Sequence, residues 1–186
     1  MNLIFLGPPG SGKGTQAVKV ADALHITHLS TGDMLRDAVK SGSELGKQAE
    51  SYMKKGELVP DSLIIGIIEG KISSGALDGG FILDGFPRTI PQARSLNDMF
   101  AKNDISLDKA ILLDVSDETI IQRIRGRAEQ EGRADDTEDV VRNRLEVYRK
   151  QTAPIVDFYR KESVLTEVDG EKTPEQVFAN IMEVLK

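Results

Sequence analysis

The stretch Gly7-Pro8-Pro9-Gly10-Ser11-Gly12-Lys13-Gly14-Thr15 follows the apolar run Leu3-Ile4-Phe5-Leu6 and opens residues 13–24, where apolar side chains recur three or four apart. A brief apolar run bounded by turn residues reads as a buried strand, and the spacing after it as an amphipathic helix. A glycine-rich loop between strand and helix is the setting a phosphate-binding loop requires. Glycines let successive backbone N–H groups turn inward around an anion, and the helix directs its positive dipole end at the same point. Lys13 adds a mobile cation, so Gly10, Ser11, Gly12, Lys13, Gly14 and Thr15 are the candidate polyphosphate-binding residues. Gly14 follows the lysine where Ser or Thr is usual, which leaves Thr15 as the hydroxyl available to a metal.

Working outward, short apolar runs at residues 27–30, 81–83, 110–115 and 164–168 read as further strands. Helical spacing is found at residues 34–39, 45–54, 61–73, 91–102, 117–125, 138–160 and 174–185. Strand, crossover helix and strand in repetition favour a parallel sheet wrapped by helices, because parallel neighbours need right-handed crossovers. The expected class is therefore α/β. Two regions break the rhythm: between residues 30 and 60 helices follow one another without a clear strand, and between 126 and 137 a polar loop separates two helices. Both are expected to form movable lobes on a single domain.

The chain has 186 residues, 39% hydrophobic and 29% charged, enough for one domain with a sizeable core. Its formal charge of −6 argues against nucleic acid or an anionic membrane as partner, so a polyanionic ligand needs a local basic site. No cysteine is present, which excludes disulfides and thiolate-bound zinc and fits a cytoplasmic location. The apolar run at residues 3–6 is too short for a signal peptide or a membrane span. His25 and His28 stand three apart but straddle an expected helix end with no third ligand nearby, so they read as structural or surface residues rather than a metal pair.

A phosphate loop alone does not separate a kinase from a GTPase or an ATP-driven machine. The guanine-reading run Asn-Lys-x-Asp is absent, and so is a strand-terminal Asp-x-x-Gly. Asp84-Gly85-Phe86-Pro87-Arg88, however, follows the apolar residues 81–83 and places an acid and a guanidinium at the carboxyl end of a strand, the edge at which parallel sheets bind ligands. Asp84 could hold magnesium through water, and Arg88 could make forked contacts with a second phosphate. Arg123, Arg127, Arg133 and Arg144 gather around the second irregular region. Phosphoryl transfer asks mainly for alignment and positive charge around the migrating group, which such a set supplies.

With these pieces in place, the chain resembles, nearly end to end, the nucleoside monophosphate kinase family and within it the adenylate kinases. The resemblance is carried by GPPGSGKGT (7–15), STGDMLR (30–36), GELVP (56–60), DGFPRTIPQ (84–92), RIRGR (123–127), GRADD (132–136) and RNRLEVYRKQTAP (142–154). It implies a P-loop NTPase fold with a five-stranded parallel sheet, a core (1–29, 60–125, 137–186), a helical AMP-binding lobe (30–59) and a lid (126–136). Only residues 128–132 separate Arg127 from Arg133, so the chain is similar to short-lid members that carry no structural zinc.

The resemblance further implies reversible transfer of the terminal phosphoryl group of MgATP to AMP, giving two ADP and serving adenine nucleotide homeostasis, by a cytoplasmic monomer. AMP would lie among Thr31, Gly32, Arg36, Glu57, Leu58, Val59, Gly85, Phe86, Pro87, Arg88 and Gln92. ATP would lie on the loop, with Arg123 over its adenine, Arg127 on its phosphates and Lys172 near its base. Arg133 and Arg144 would bridge donor and acceptor, oriented by Asp135 and Asp136. Lys13, Arg88, Arg127, Arg133 and Arg144 are then the catalytic set. The Gln92 amide carries a donor and an acceptor that match the adenine edge. Two rivals stand beside this reading. One is a kinase of another acceptor such as UMP, CMP or shikimate; the other is a nucleotide-sensing module without turnover.

Overall fold

The computed structural model of the chain describes residues 1–131 and 137–186, and of residues 125 and 127–131 the backbone only. Among the described residues, five strands form one wholly parallel sheet: β1 (Asn2–Leu6), β2 (Thr27–Ser30), β3 (Phe81–Asp84), β4 (Lys109–Asp114) and β5 (Leu165–Asp169). Their order across the sheet is β2-β3-β1-β4-β5. The helices are α1 (Lys13–Leu24), α2 (Thr31–Ser41), α3 (Glu44–Lys55), α4 (Asp61–Ser73), α5 (Ile90–Lys102), α6 (Asp117–Glu131), α7 (Glu138–Val147), α8 (Pro154–Lys161) and α9 (Pro174–Val184). The α/β class and the five-stranded parallel sheet expected from the sequence are thus the ones observed.

The strands are apolar on both faces because helices cover both. Successive side chains alternate: Ile4, Leu6, Phe81 and Leu83 pack with α4, α5 and α8, while Leu3, Phe5 and Ile82 pack with Ala17, Val20, Val177 and Ile181 of α1 and α9. A smaller cluster of Ile120, Ile124, Val141 and Leu145 joins α6 to α7.

From β1 the chain builds β2 and β3 on one side and then crosses to β4 and β5 on the other. The loop leaving β1 therefore sits at the switch in strand order, where a crevice opens beyond the carboxyl ends of the strands. Asp84 is in register with Phe5 and with Ser30, so β1, β2 and β3 end abreast. That alignment brings together segments far apart in sequence.

Three local expectations are corrected. First, α2 begins at Thr31, earlier than residue 34, because the Ser30 hydroxyl accepts a hydrogen bond from Asp33 N at 3.2 Å and caps the helix. Second, the expected continuous helix over 138–160 is interrupted. Pro154 has no N–H for the carbonyl of residue 150, so the chain widens into a π turn at Tyr148–Thr152 and restarts as α8 with Pro154 in its first turn. Ala153 N donates to Tyr148 O at 2.8 Å across this turn. Third, α6 continues to Glu131 instead of giving way to a loop at residue 126. Residues 127–131 are strong helix formers, and the lone Gly126 costs only about 1 kcal/mol. The rest of the expected lid, residues 132–136, lies outside the described residues.

Tyr159 is fully buried beside Phe158, and its hydroxyl finds no hydrogen-bond partner among the described residues. Burial also pushes its pKa up. An unpaired buried hydroxyl costs about 1–3 kcal/mol. Tyr159→Phe is accordingly expected to stabilise the protein by about 1 kcal/mol, read as a higher urea midpoint at unchanged slope.

Candidate active site

Loop 7–12 turns through left-handed glycines; Gly10 has φ +83° and lies so close to α6 that a Cβ there would come within 2.7 Å of the Ile124 side chain. No other residue fits that position without moving α6. Lys13 begins α1, and its Nζ donates to Gly7 O and Pro8 O, both at 2.7 Å, and to Ser11 Oγ at 3.4 Å. The ammonium is therefore held inside the curve of the loop.

The second constellation leaves β3. Thr31, 3% exposed, donates its hydroxyl to Gly85 O at 2.9 Å and ties the start of α2 to the turn after β3. Gly85 has φ +79°, and a Cβ there would lie 2.8 Å from Thr31 Oγ1 and 2.9 Å from Arg88 Nη2. Arg88 Nε donates to Gly85 O at 2.7 Å. Burial lowers the Arg88 pKa; Asp84 opposes that effect, while Arg144 and Arg36 add to it. Three guanidiniums thus converge on one place, an arrangement that suits an anion better than it suits the protein alone. Arg36 also pairs with Asp33.

Asp84 is buried at the end of β3, with Oδ2 only 3.4 Å from where a Cβ on Gly14 would stand. A carboxylate at the mouth of a phosphate loop fits a magnesium ion held mainly by nucleotide oxygens and reached through water. Among the described residues no group of three or more His, Cys, Asp or Glu is placed to hold a metal. His28 lies in β2 with Nε2 3.7 Å from Asp84 Oδ2, and His25 caps α1 elsewhere, so the two histidines form no pair.

On the far side, Arg123 of α6 donates to Ser11 O at 3.3 Å and to Gly170 O at 2.8 Å, joining the loop to the segment after β5. Lys172 sits nearby, half-exposed and 3.8 Å from Asp169. Glu171 receives Thr119 Oγ1 at 2.6 Å and Ser116 N at 2.5 Å. These hydrogen bonds, Thr119 first, together with the charge of Arg123, hold its pKa at about 2. A depressed carboxylate pKa stabilises the fold above the usual value of 4.5 and loses that effect as pH falls towards about 2. The melting-temperature gap between wild type and Glu171→Gln is expected to close over that interval in acid melts followed by circular dichroism.

The loop, the turn after β3 and Arg123 face one cleft of about 900 Å³. Loop residues 9–16 line one part, Arg123, Gly170 and Lys172 border it, and Thr31, Gly32, Arg36, Glu57, Leu58, Val59, Gly85, Pro87, Arg88 and Gln92 line the other. Arg144 of α7 lines the cleft as well, with its Cγ 3.0 Å from where a Cβ on Gly56 would stand. Phe86 is the exception among the expected acceptor residues: its side chain is in the core, 1% exposed. The Arg127 side chain, Arg133, Asp135 and Asp136 lie outside the described residues.

A family model described as adenylate kinase matches residues 5–164. The chain belongs to the adenylate kinase family. It is similar to an adenylate kinase of Stenotrophomonas maltophilia, 47% identical over 186 residues with both chains covered in full. It is also similar to adenylate kinases of Leptospira biflexa, 44% identical with 97% of each chain covered, and of Methanothrix thermoacetophila, 40% identical with 100% and 98% covered. Membership of the adenylate kinase family makes the chain an enzyme of reversible phosphoryl transfer from ATP to AMP, giving ADP. No helix among the described residues is long and apolar enough to cross a membrane.

Sequence reasoning missed three contacts: Asp61 with Gln92, Arg123 with Gly170, and His28 with Asp84. Each joins segments separated by tens of residues, and no local spacing announces it.

Proposed function

We propose that the two ends of the cleft divide the work of this phosphotransfer as follows. The terminal phosphates of ATP lie on loop 7–15 against Lys13, with the base between Arg123 and the backbone near Lys172. AMP lies across the cleft, its phosphate between Arg36 and Arg88 and its adenine edge against Gln92. Arg144, with Arg127 of α6 and Arg133 from the segment joining α6 and α7, spans the gap and takes up charge on the migrating group. One observation carries this reading: the loop holding Lys13 and the convergence of Arg36, Arg88 and Arg144 line one and the same cleft. In-line transfer between two nucleotides needs that geometry, and no covalent enzyme intermediate.

Asp84 would hold a magnesium ion through water, and that ion, bound with ATP, would offset the charge of the phosphates. Residues 30–59 act as a lobe closing on AMP and residues 126–136 as a short lid closing on ATP, which excludes water from the transfer. The enzyme works as a cytoplasmic monomer without zinc or nucleic acid. The test is a coupled assay of ADP formation from ATP with AMP, CMP and UMP. Preference for CMP or UMP would overturn the acceptor assignment. Tight binding of ATP and AMP with no ADP formed in the presence of magnesium would overturn turnover itself.

A further inference from the structure

The Gln92 side chain is 2% exposed and its amide is held at both ends. Nε2 donates to Asp61 Oδ1 at 2.7 Å, and Oε1 accepts from Arg88 N at 2.7 Å. Thr89 closes the ring: its hydroxyl donates to Asp61 Oδ2 at 3.0 Å and accepts from Gln92 N at 3.2 Å, capping α5. A carboxylate only accepts and a backbone N–H only donates, so a single orientation of the amide satisfies both neighbours. Turning it over would set oxygen against oxygen at Asp61 and N–H against N–H at Arg88.

That choice has a chemical consequence. A glutamine amide has a second N–H and a second lone pair left for a base. Adenine offers an acceptor at N1 and a donor at N6, whereas a 6-oxopurine offers a donor at N1 and an acceptor at O6. The two bases call for opposite orientations of the same amide. We infer that Asp61 is a specificity-determining positioning residue, which pins the Gln92 amide in the orientation that reads adenine and rejects 6-oxopurine monophosphates. This inference rests on the proposed contact between Gln92 and the acceptor base. Asp61 acts through Gln92 and touches no reacting atom; its place in the first turn of α4, packed beside α5, gives it the reach to do so.

Asp61→Asn keeps the shape of the side chain but can donate as well as accept, so it tolerates either amide orientation. Arg88 N still favours the original one, which makes the loss partial. With MgATP held saturating, the ratio of kcat/KM for AMP over IMP is expected to fall about tenfold, with IMP turnover rising in absolute terms and KM for ATP unchanged. An unchanged ratio overturns the inference, and so does an equal drop for both acceptors with a lower urea midpoint, the mark of a purely structural role. Gln92→Leu separates the two levels. If it collapses the AMP preference while Asp61→Asn keeps it, only the role of Asp61 falls. If it leaves KM for AMP and the ratio untouched, the base contact falls and the inference with it.

Discussion

Lys13→Ala is expected to lower kcat for ATP plus AMP by about 10³-fold, with the fold intact and KM for AMP nearly unchanged. Nζ lies 2.7 Å from two carbonyls of the loop it serves, so the cation is carried within the phosphate site. Moving with the phosphoryl oxygens, it counters charge most strongly where the transition state spreads it. Removing it leaves the left-handed glycines, the α1 dipole and both carbonyl partners in place, and solvent in the cleft can satisfy those carbonyls. Lys13→Arg should rescue poorly, because a planar fork cannot replace a compact ammonium inside so tight a curve. Steady-state kinetics with circular dichroism as the folding control decide the matter. A loss smaller than tenfold would remove Lys13 from the chemistry.

Arg88→Met is expected to cost about 10³-fold or more in kcat/KM for AMP and yet leave the melting temperature unchanged or raised. The guanidinium lines the cleft, where burial already lowers its pKa and where Asp84 attracts it while Arg144 and Arg36 repel it. The protein alone gains little from three like charges in one place; an AMP phosphate gains from all of them. Methionine keeps much of the side-chain length and relieves the repulsion, and it gives up one hydrogen bond to Gly85 O and the attraction of Asp84. Arg88→Lys keeps the charge but not the fork, and should remain about 10²-fold impaired. A fall in both activity and melting temperature would mean that Arg88 holds the fold rather than the acceptor.

Much of this architecture is legible in local patterning. Runs such as residues 3–6 and 81–83 are apolar on both faces, a sign of strands covered by helices on both sides, and the packing of Ile4 and Phe5 into different core clusters bears that out. The glycines around Lys13 announce an anion nest because backbone conformation there depends on residues next to one another. Element ends were less legible. Ser30 starts α2 early through a side-chain cap, Pro154 turns one expected helix into two with a π turn, and Gly126 fails to stop α6. Each outcome hangs on one hydrogen bond or on about 1 kcal/mol of propensity, too little for periodicity to reveal.

The sequence by itself determined the α/β class, the phosphate loop, the Asp84–Arg88 turn and the family, because each is written in contiguous residues whose chemistry is local. Only the tertiary structure decided which groups meet. Parallel pairing sets Ser30, Asp84 and Phe5 abreast, so the starts of α1 and α2 and the turn after β3 share one cleft. Packing of α4 beside α5 carries Asp61 to Gln92 across 31 positions of chain. Such contacts arise from strand register and helix packing, which sum many weak apolar terms over the whole molecule and leave no mark at either residue alone.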